Sequence, residues 1–306
     1  MNQHVFSFAT IITTATLVAH TIATFAQQDD VALAHVKYGF VHIDDTTLRD
    51  QPHEEDMMLY IGASSAMYKS FSMAERIAEA QAKTGPQEEM GANVRSTSQS
   101  FIIDDELTGN TLYLLPGEKK AVYVDQIGTK PYIIPTSYAD IDWQIGTDTK
   151  EIGGYLCQQA TGRFGGRTYT AWFTTELPFP FGPWKLHGLP GLILEAQDAT
   201  GDVTFSYQGF DKESGPGIPM GVPEDASETT EKAFEKAKSA FMADPAGSLL
   251  RTLDIPEGAA AQVVYKDENG NEISAEEAKA MLAKAQADTP VKQVNNPLEL
   301  DHKSSR

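Results

Sequence analysis

From Ala34 to Tyr207 the chain is a succession of short apolar runs, each closed by a turn of Gly, Pro, Asn or Asp. That punctuation demands a sheet built mostly from neighbouring, antiparallel strands. Residues 34–43 place Val36, Tyr38 and Phe40 at period two, the pattern of a strand with one buried face. Runs at 57–61 and 66–71 flank Gly62 as a hairpin, after an acidic loop at 46–56. Others follow at 100–103, 111–115, 121–125, 132–134 and 155–160, with a turn at 162–166. In 167–174, Tyr169, Ala171 and Phe173 share a face, while Arg167, Thr168, Thr170 and Trp172 make no consistent polar face. A strand covered on both sides fits that. Leu192-Ile193-Leu194 and the alternation Val203, Phe205, Tyr207 form the clearest hairpin, around 198–202. The reading is a β-rich α+β protein: an antiparallel curved sheet or half-open barrel or sandwich, with short packed helices.

The helices are few. Ser72 and Glu75 have the spacing of a capping box and open a helix to about Lys83, stopped by Gly85-Pro86 ahead of a polar stretch at 87–98. After Phe210 the composition changes. Residues 211–223 read as a Gly/Pro linker, 227–243 as a helix with Phe234, Ala237 and Phe241 on one face, and 262–265 as a short strand. Ser274 and Glu277 form a second capping box, opening a helix to about Ala287, and the tail from 295 to 306 reads as polar and loose. Three parts result: residues 1–26, a β-rich core at 27–223, and an acidic, helical extension at 224–306 packed on the same domain.

The formal net charge is −19, with no run of Lys and Arg, which excludes a nucleic-acid surface. Residues 1–26 hold no Asp, Glu, Lys or Arg; an apolar run precedes Thr24-Phe25-Ala26, so the segment reads as a signal peptide cleaved before Gln27. The expectation is a secreted protein, periplasmic or on the cell surface, with no transmembrane segment in the mature chain. Cys157 is the single cysteine, so no internal disulfide can form. Its apolar flank reads as that of a buried small hydrophobe rather than a nucleophile or an intermolecular link.

No established chemistry assembles from spacing. No Cys/His cluster has zinc spacing, so no metal is expected. His35 and His42 face opposite sides of one strand. His53-Glu54-Glu55-Asp56 reads as an exposed acidic loop. The segment from Asp267 has Glu272 where a calcium loop needs Gly and Ala278 where it needs Glu. Residues 162–166 lack the ending of a phosphate loop, and no cofactor is implied. A hydrolase is the alternative: His187 with Cys157 or a Ser, oriented by Asp198 or Glu195, the latter with Glu176 being the least surface-like acids. The plainer reading places His187 on the surface beside a turn. Catalytic residues are therefore unknown.

The most distinctive stretch is the aromatic crossing at 172–189. Trp172, Phe179, Phe181, Trp184 and Leu189 either pack the sheet core or line a groove for an apolar ligand or a partner strand. It ends in Gly188-Leu189-Pro190-Gly191-Leu192-Ile193, where Pro190 and Gly191 fit the central positions of a type II turn, Gly191 taking positive φ. This string, with Gly154-Tyr155-Leu156-Cys157, Ala160-Thr161, Gly166-Arg167, Ala171-Trp172-Phe173-Thr174, Gly182-Pro183 and Lys185, resembles the GLPGLI family of secreted proteins of Gram-negative bacteria. Asn296-Pro297-Leu298-Glu299-Leu300 is similar to that family's ending, whereas Gln159 and the insertion at 224–290 depart from it. The resemblance implies export and an uncharacterised role, and supplies no catalytic residue. The expected function is non-catalytic binding of an envelope protein partner or an apolar small molecule on the curved sheet. A third reading is a purely structural surface protein.

Overall fold

The computed structural model describes residues 30–84, 107–215, 217–244, 247–248, 265–266, 271–288 and 294–301. The expected signal peptide, the expected strand at 100–103, the stretch at 87–98, most of the expected strand at 262–265 and most of the turn expected before Ser274 lie outside these residues.

One mixed sheet of twelve strands dominates, open at both ends. In chain order its strands are β1 (Ala34–His42), β2 (His53–Ile61), β3 (Ala66–Ser70), β4 (Thr111–Leu115), β5 (Lys120–Ile127), β6 (Lys130–Thr136), β7 (Gln144–Ile152), β8 (Tyr155–Phe164), β9 (Arg167–Thr174), β10 (Leu192–Asp198), β11 (Val203–Lys212) and β12 (Ser227–Glu228). Their spatial order is β12-β6-β5-β4-β3-β2-β1-β11-β10-β9-β8-β7. Two meanders, β2–β6 and β7–β11, are therefore joined along the seam where β1 pairs with β11. Among the described strands, only β12 runs parallel to its neighbour. Among the described residues there are also a separate pair, β13 (Tyr265–Lys266) and β14 (Glu272–Ile273), and three α-helices, α1 (Phe71–Thr84), α2 (Glu231–Ala243) and α3 (Ala275–Asp288).

The alternation in β1 puts Val36, Tyr38 and Phe40 in the core, as period two requires. The same core holds Leu59 and Leu112 from one meander and Ala160, Tyr169, Phe173 and Phe205 from the other. A sheet whose two wings share one core must curve, and the segment 175–191 fills the hollow: Phe181, Trp184, Leu186 and Leu189 are all buried there. The opposite face carries a smaller cluster of Met67, Tyr113, Val122 and Val124, roofed by Ala32 and Met220. The stretch at 217–223, expected to be a linker, is thus a cover for the outer face, held by hydrogen bonds from Ala32 to Ile218 and from Met220 to Asp30.

Other expectations need correction. The acidic 53–56 segment is the first half of β2, because Glu55 faces inward. The α1 cap is Ser70, whose Oγ accepts from the Met73 amide at 2.8 Å; Ser72 instead accepts from the Asp56 amide. The pattern S-x-x-E fits a start two residues too late. Helix α2 starts at Glu231 behind Thr230, whose hydroxyl accepts from Ala233, and Ser227–Glu228 before it is strand. The box at Ser274 and Glu277 is reciprocal, with bonds of 3.1 and 2.9 Å.

Candidate functional site

The densest polar cluster lies where the crossing meets the chain's C-terminal segment. Pro183–Leu186 closes a turn, the Leu186 amide donating to the Pro183 carbonyl at 3.1 Å. Its tip points into the core. Trp184 has φ +53°, a left-handed conformation that a bulky side chain adopts only when its surroundings over-determine it. They do: its indole packs on Phe164 at 5.4 Å, and Nε1 donates to the Tyr123 hydroxyl at 3.1 Å. Burial of that hydroxyl pushes Tyr123 up to about 12, against the Trp184 bond.

Lys185 follows with no exposed surface. Its ammonium sits 5.4, 5.6 and 5.9 Å from the rings of Tyr123, Trp184 and Phe164. It donates to Thr136 Oγ1 at 2.7 Å and Ser137 Oγ at 3.1 Å, and pairs with Glu299. Burial lowers the Lys185 pKa and Glu299 raises it, with a net lowering.

Glu299 belongs to the tail, which is docked, not loose. Arg167, buried at the start of β9, is its main anchor. Nε donates to the Leu298 carbonyl at 3.0 Å, and Nη2 donates to Asn296 Oδ1 at 2.6 Å and the Pro297 carbonyl at 2.7 Å. Nη1 meets Asp198 Oδ2 at 2.7 Å. Burial pushes the Asp198 carboxyl up, but bonds from Thr200, the Val203 amide and Arg167, with the Arg167 charge, hold it below its usual value. Asn296 donates to the Ile43 carbonyl at 2.6 Å and to Asp202 at 3.1 Å, and its own carbonyl accepts from His42 Nε2 at 2.8 Å. The Leu300 amide donates to the Gly165 carbonyl at 2.7 Å. That carbonyl is within reach because Gly165-Gly166 turn with φ of +59° and +74°, and their missing Cβ atoms leave room for Glu299 and Leu300. Arg167 shares the inner face with Tyr169, Ala171 and Phe173; the outer face of β9 carries the half-buried Trp172 under Lys150, 4.6 Å from its ring.

The other anticipated residues do not converge. Phe181, Trp184 and Leu189 are core; Phe179 is half-buried against Phe210 at 6.2 Å; Trp172 is on the opposite face. Replacing Trp184 with a small polar residue therefore cannot separate binding from folding. His187 is buried, not a surface side chain, with its ring 4.7 Å from Tyr138 and Nε2 without a partner. Asp198 is bound to Arg167, Glu195 to Lys150, Glu176 to the Leu156 amide at 3.0 Å, and buried Cys157 to the Tyr155 carbonyl at 3.6 Å. Burial and Glu195 raise the thiol to about 11, which leaves it un-ionised and unreactive at neutral pH. Glu55, inward on β2, accepts from His53 at 3.0 Å and from Thr108; burial raises its pKa, but these bonds, with one from Ser70, keep it low. Among the described residues no three His, Cys, Asp or Glu side chains form a metal-binding group, and no helix is long and apolar enough to cross a membrane.

Burial of two histidines predicts a fold that weakens in mild acid. It lowers the pKa of His42 and of His187 below the ordinary 6.5, only partly offset by the Asn296 bond at His42 and by Asp140 at His187. Each imidazole binds a proton more readily in the unfolded chain, so stability falls as pH drops below about 6.5. Urea midpoints should decline from pH 7.5 to 5.5, and His187→Gln should flatten the decline. A midpoint constant over that range in the wild type would refute it.

No curated protein matches the chain. Two crystal forms of PNGF-II, in space groups P21 and C2, each superpose with a TM-score of 0.46 and 10% identity, over 78% of this chain and 39% of theirs. The chain thus spans well under half the length of those structures. A family model described as a protein of unknown function (Porph_ging) matches residues 165–195, which run from the Gly165-Gly166 turn through Arg167 and Lys185 to Glu195 and so contain both cationic anchors of the tail.

Proposed function

We propose that this is an exported, non-catalytic binding protein of the cell envelope that takes a partner's extended strand along the open edge of β7. The observation that carries the reading is the inequality of the two sheet edges. On the β6 side, Pro131 and Pro135 remove edge donors, β12 covers two residues, and α2 lays Phe234 against Tyr132 at 5.8 Å. On the other side, β7 is the last strand among the described residues, and most of its residues are exposed. Its two-residue turn to β8 makes Ile152 and Tyr155 a hydrogen-bonded pair, so the amides of Glu151 and Thr149 point away from β8. Consistently, the Leu156 amide opposite Glu151 bonds elsewhere, to Glu176. Asp198, Glu195, Glu176 and Cys157, which a hydrolase would need beside His187, are each bonded to another group, which favours binding over hydrolysis. Recognition then runs through main-chain hydrogen bonds of the partner.

The test is Thr149→Pro/Glu151→Pro in the protein recovered from the envelope fraction, which should begin at Gln27. Proline here removes only outward donors, so thermal stability should hold within about 1 kcal/mol, as for an edge position. An envelope protein captured by the wild type should be lost. Equal capture by the double variant would sink the proposal.

A further inference from the structure

We propose that the groove holding residues 295–301 is a peptide-recognition site that also accepts this same segment from a second copy of the chain. Most of what the groove reads is backbone and two side chains. A single guanidinium reads Asn296 Oδ1 and the carbonyls of Pro297 and Leu298 in succession, and His42 reads the Asn296 carbonyl. The Asn296 amide is fixed on two further acceptors, and a carboxylate three residues on meets a buried ammonium. Such a set of partners selects an Asn-x-x-Glu segment, and residues 296–299 are that segment. Asn296 is buried, and Leu298 and Glu299 are partly so, whereas Asn295, Pro297, Leu300 and Asp301 are exposed; this is the profile of a docked peptide and not of a core strand.

The partners of the tail, Ile43, Gly165, Arg167, Lys185 and Asp202, are all remote from it in sequence, so a second copy presents the same set of partners. Exchange between copies conserves every bond and is a low-cost route to association. In a single copy the tethered tail competes at an effective concentration of order mM, which masks the site. This inference is independent of the β7 edge.

Two full-length variants test it. Asn296→Ala/Glu299→Ala keeps the groove but spoils its own tail. Arg167→Lys keeps the charge beside Asp198 but loses the fork, leaving an intact tail without a groove. Mixed in equal amounts, they should form a one-to-one heterodimer by native mass spectrometry, while each alone stays at its own mass. A synthetic peptide of residues 294–301 should raise the melting midpoint of the first variant by several degrees, and not that of Arg167→Lys. If the first variant is unfolded at 25 °C, the same peptide should restore its circular dichroism. No heterodimer together with no peptide effect on midpoint or refolding overturns the proposal, as does an equal peptide effect on both variants.

Discussion

Gly191→Val should leave little folded protein at 25 °C, and Gly191→Ala should be nearly as damaging. A Cβ at this position would stand 2.0 Å from the Thr174 carbonyl oxygen, 2.7 Å from its carbon and 3.0 Å from the Thr175 nitrogen. All three are backbone atoms and cannot rotate away. The loss belongs at or beyond the ~4–5 kcal/mol end of single substitutions. The reason differs from the one the Pro-Gly pair suggested. Gly191 is not among the positive-φ glycines; it is required because Leu192 pairs with Thr174 and the returning chain must graze the end of β9. Gly188 is the glycine of the motif with positive φ, +95°, and nothing stands within 4 Å of a Cβ there. Gly188→Ala should therefore cost only backbone strain, about 1–3 kcal/mol. Urea titration of the three variants decides between the two causes: if Gly191→Ala is mild, the close-approach account is wrong.

Glu299→Ala should cost about 3–5 kcal/mol, the penalty for leaving a buried charge without its partner. Lys185 has no exposed surface, while 13% of the Glu299 side chain is exposed. The asymmetry sets the order: Lys185→Met should cost less, because the orphaned carboxylate retains Ser137 and some water. The double variant should recover much of the loss, since an apolar pair does not need the counter-charge. Chemical denaturation of the four proteins in a double-mutant cycle measures the coupling. Additive losses would show that Glu299 acts through packing alone.

The sheet was legible where apolar residues alternate or run between turns: β1 and β11 fall where period two places them, and β4, β5 and β10 where short apolar runs bounded by turn residues place them. Strand β7 was not, because an edge strand that buries little has no apolar face to reveal it. The tail was read as loose for a related reason. Its anchors are an amide and a carboxylate, which carry no hydrophobic signal, and their partners lie far off in sequence. Lys185, Arg167 and His187 look like surface residues by type, and their burial follows only from tertiary partners. Family-like strings at 166–167, 185 and 296–300 contain these anchors, but a string does not say which of its members touch.

The β1 seam has a kinetic consequence. Each meander closes through contacts between neighbours in sequence, but β1 must find residues 203–212, and His42 must find Asn296, 254 positions away. Closing such long loops sacrifices chain entropy before the stacking of Phe40 on Phe205 at 5.1 Å can repay it. The two wings therefore form early and the middle of the sheet last. A nascent chain that has not yet released Val203 exposes one whole side of β1, and during synthesis that unpaired strand is where this protein is most open to mispairing.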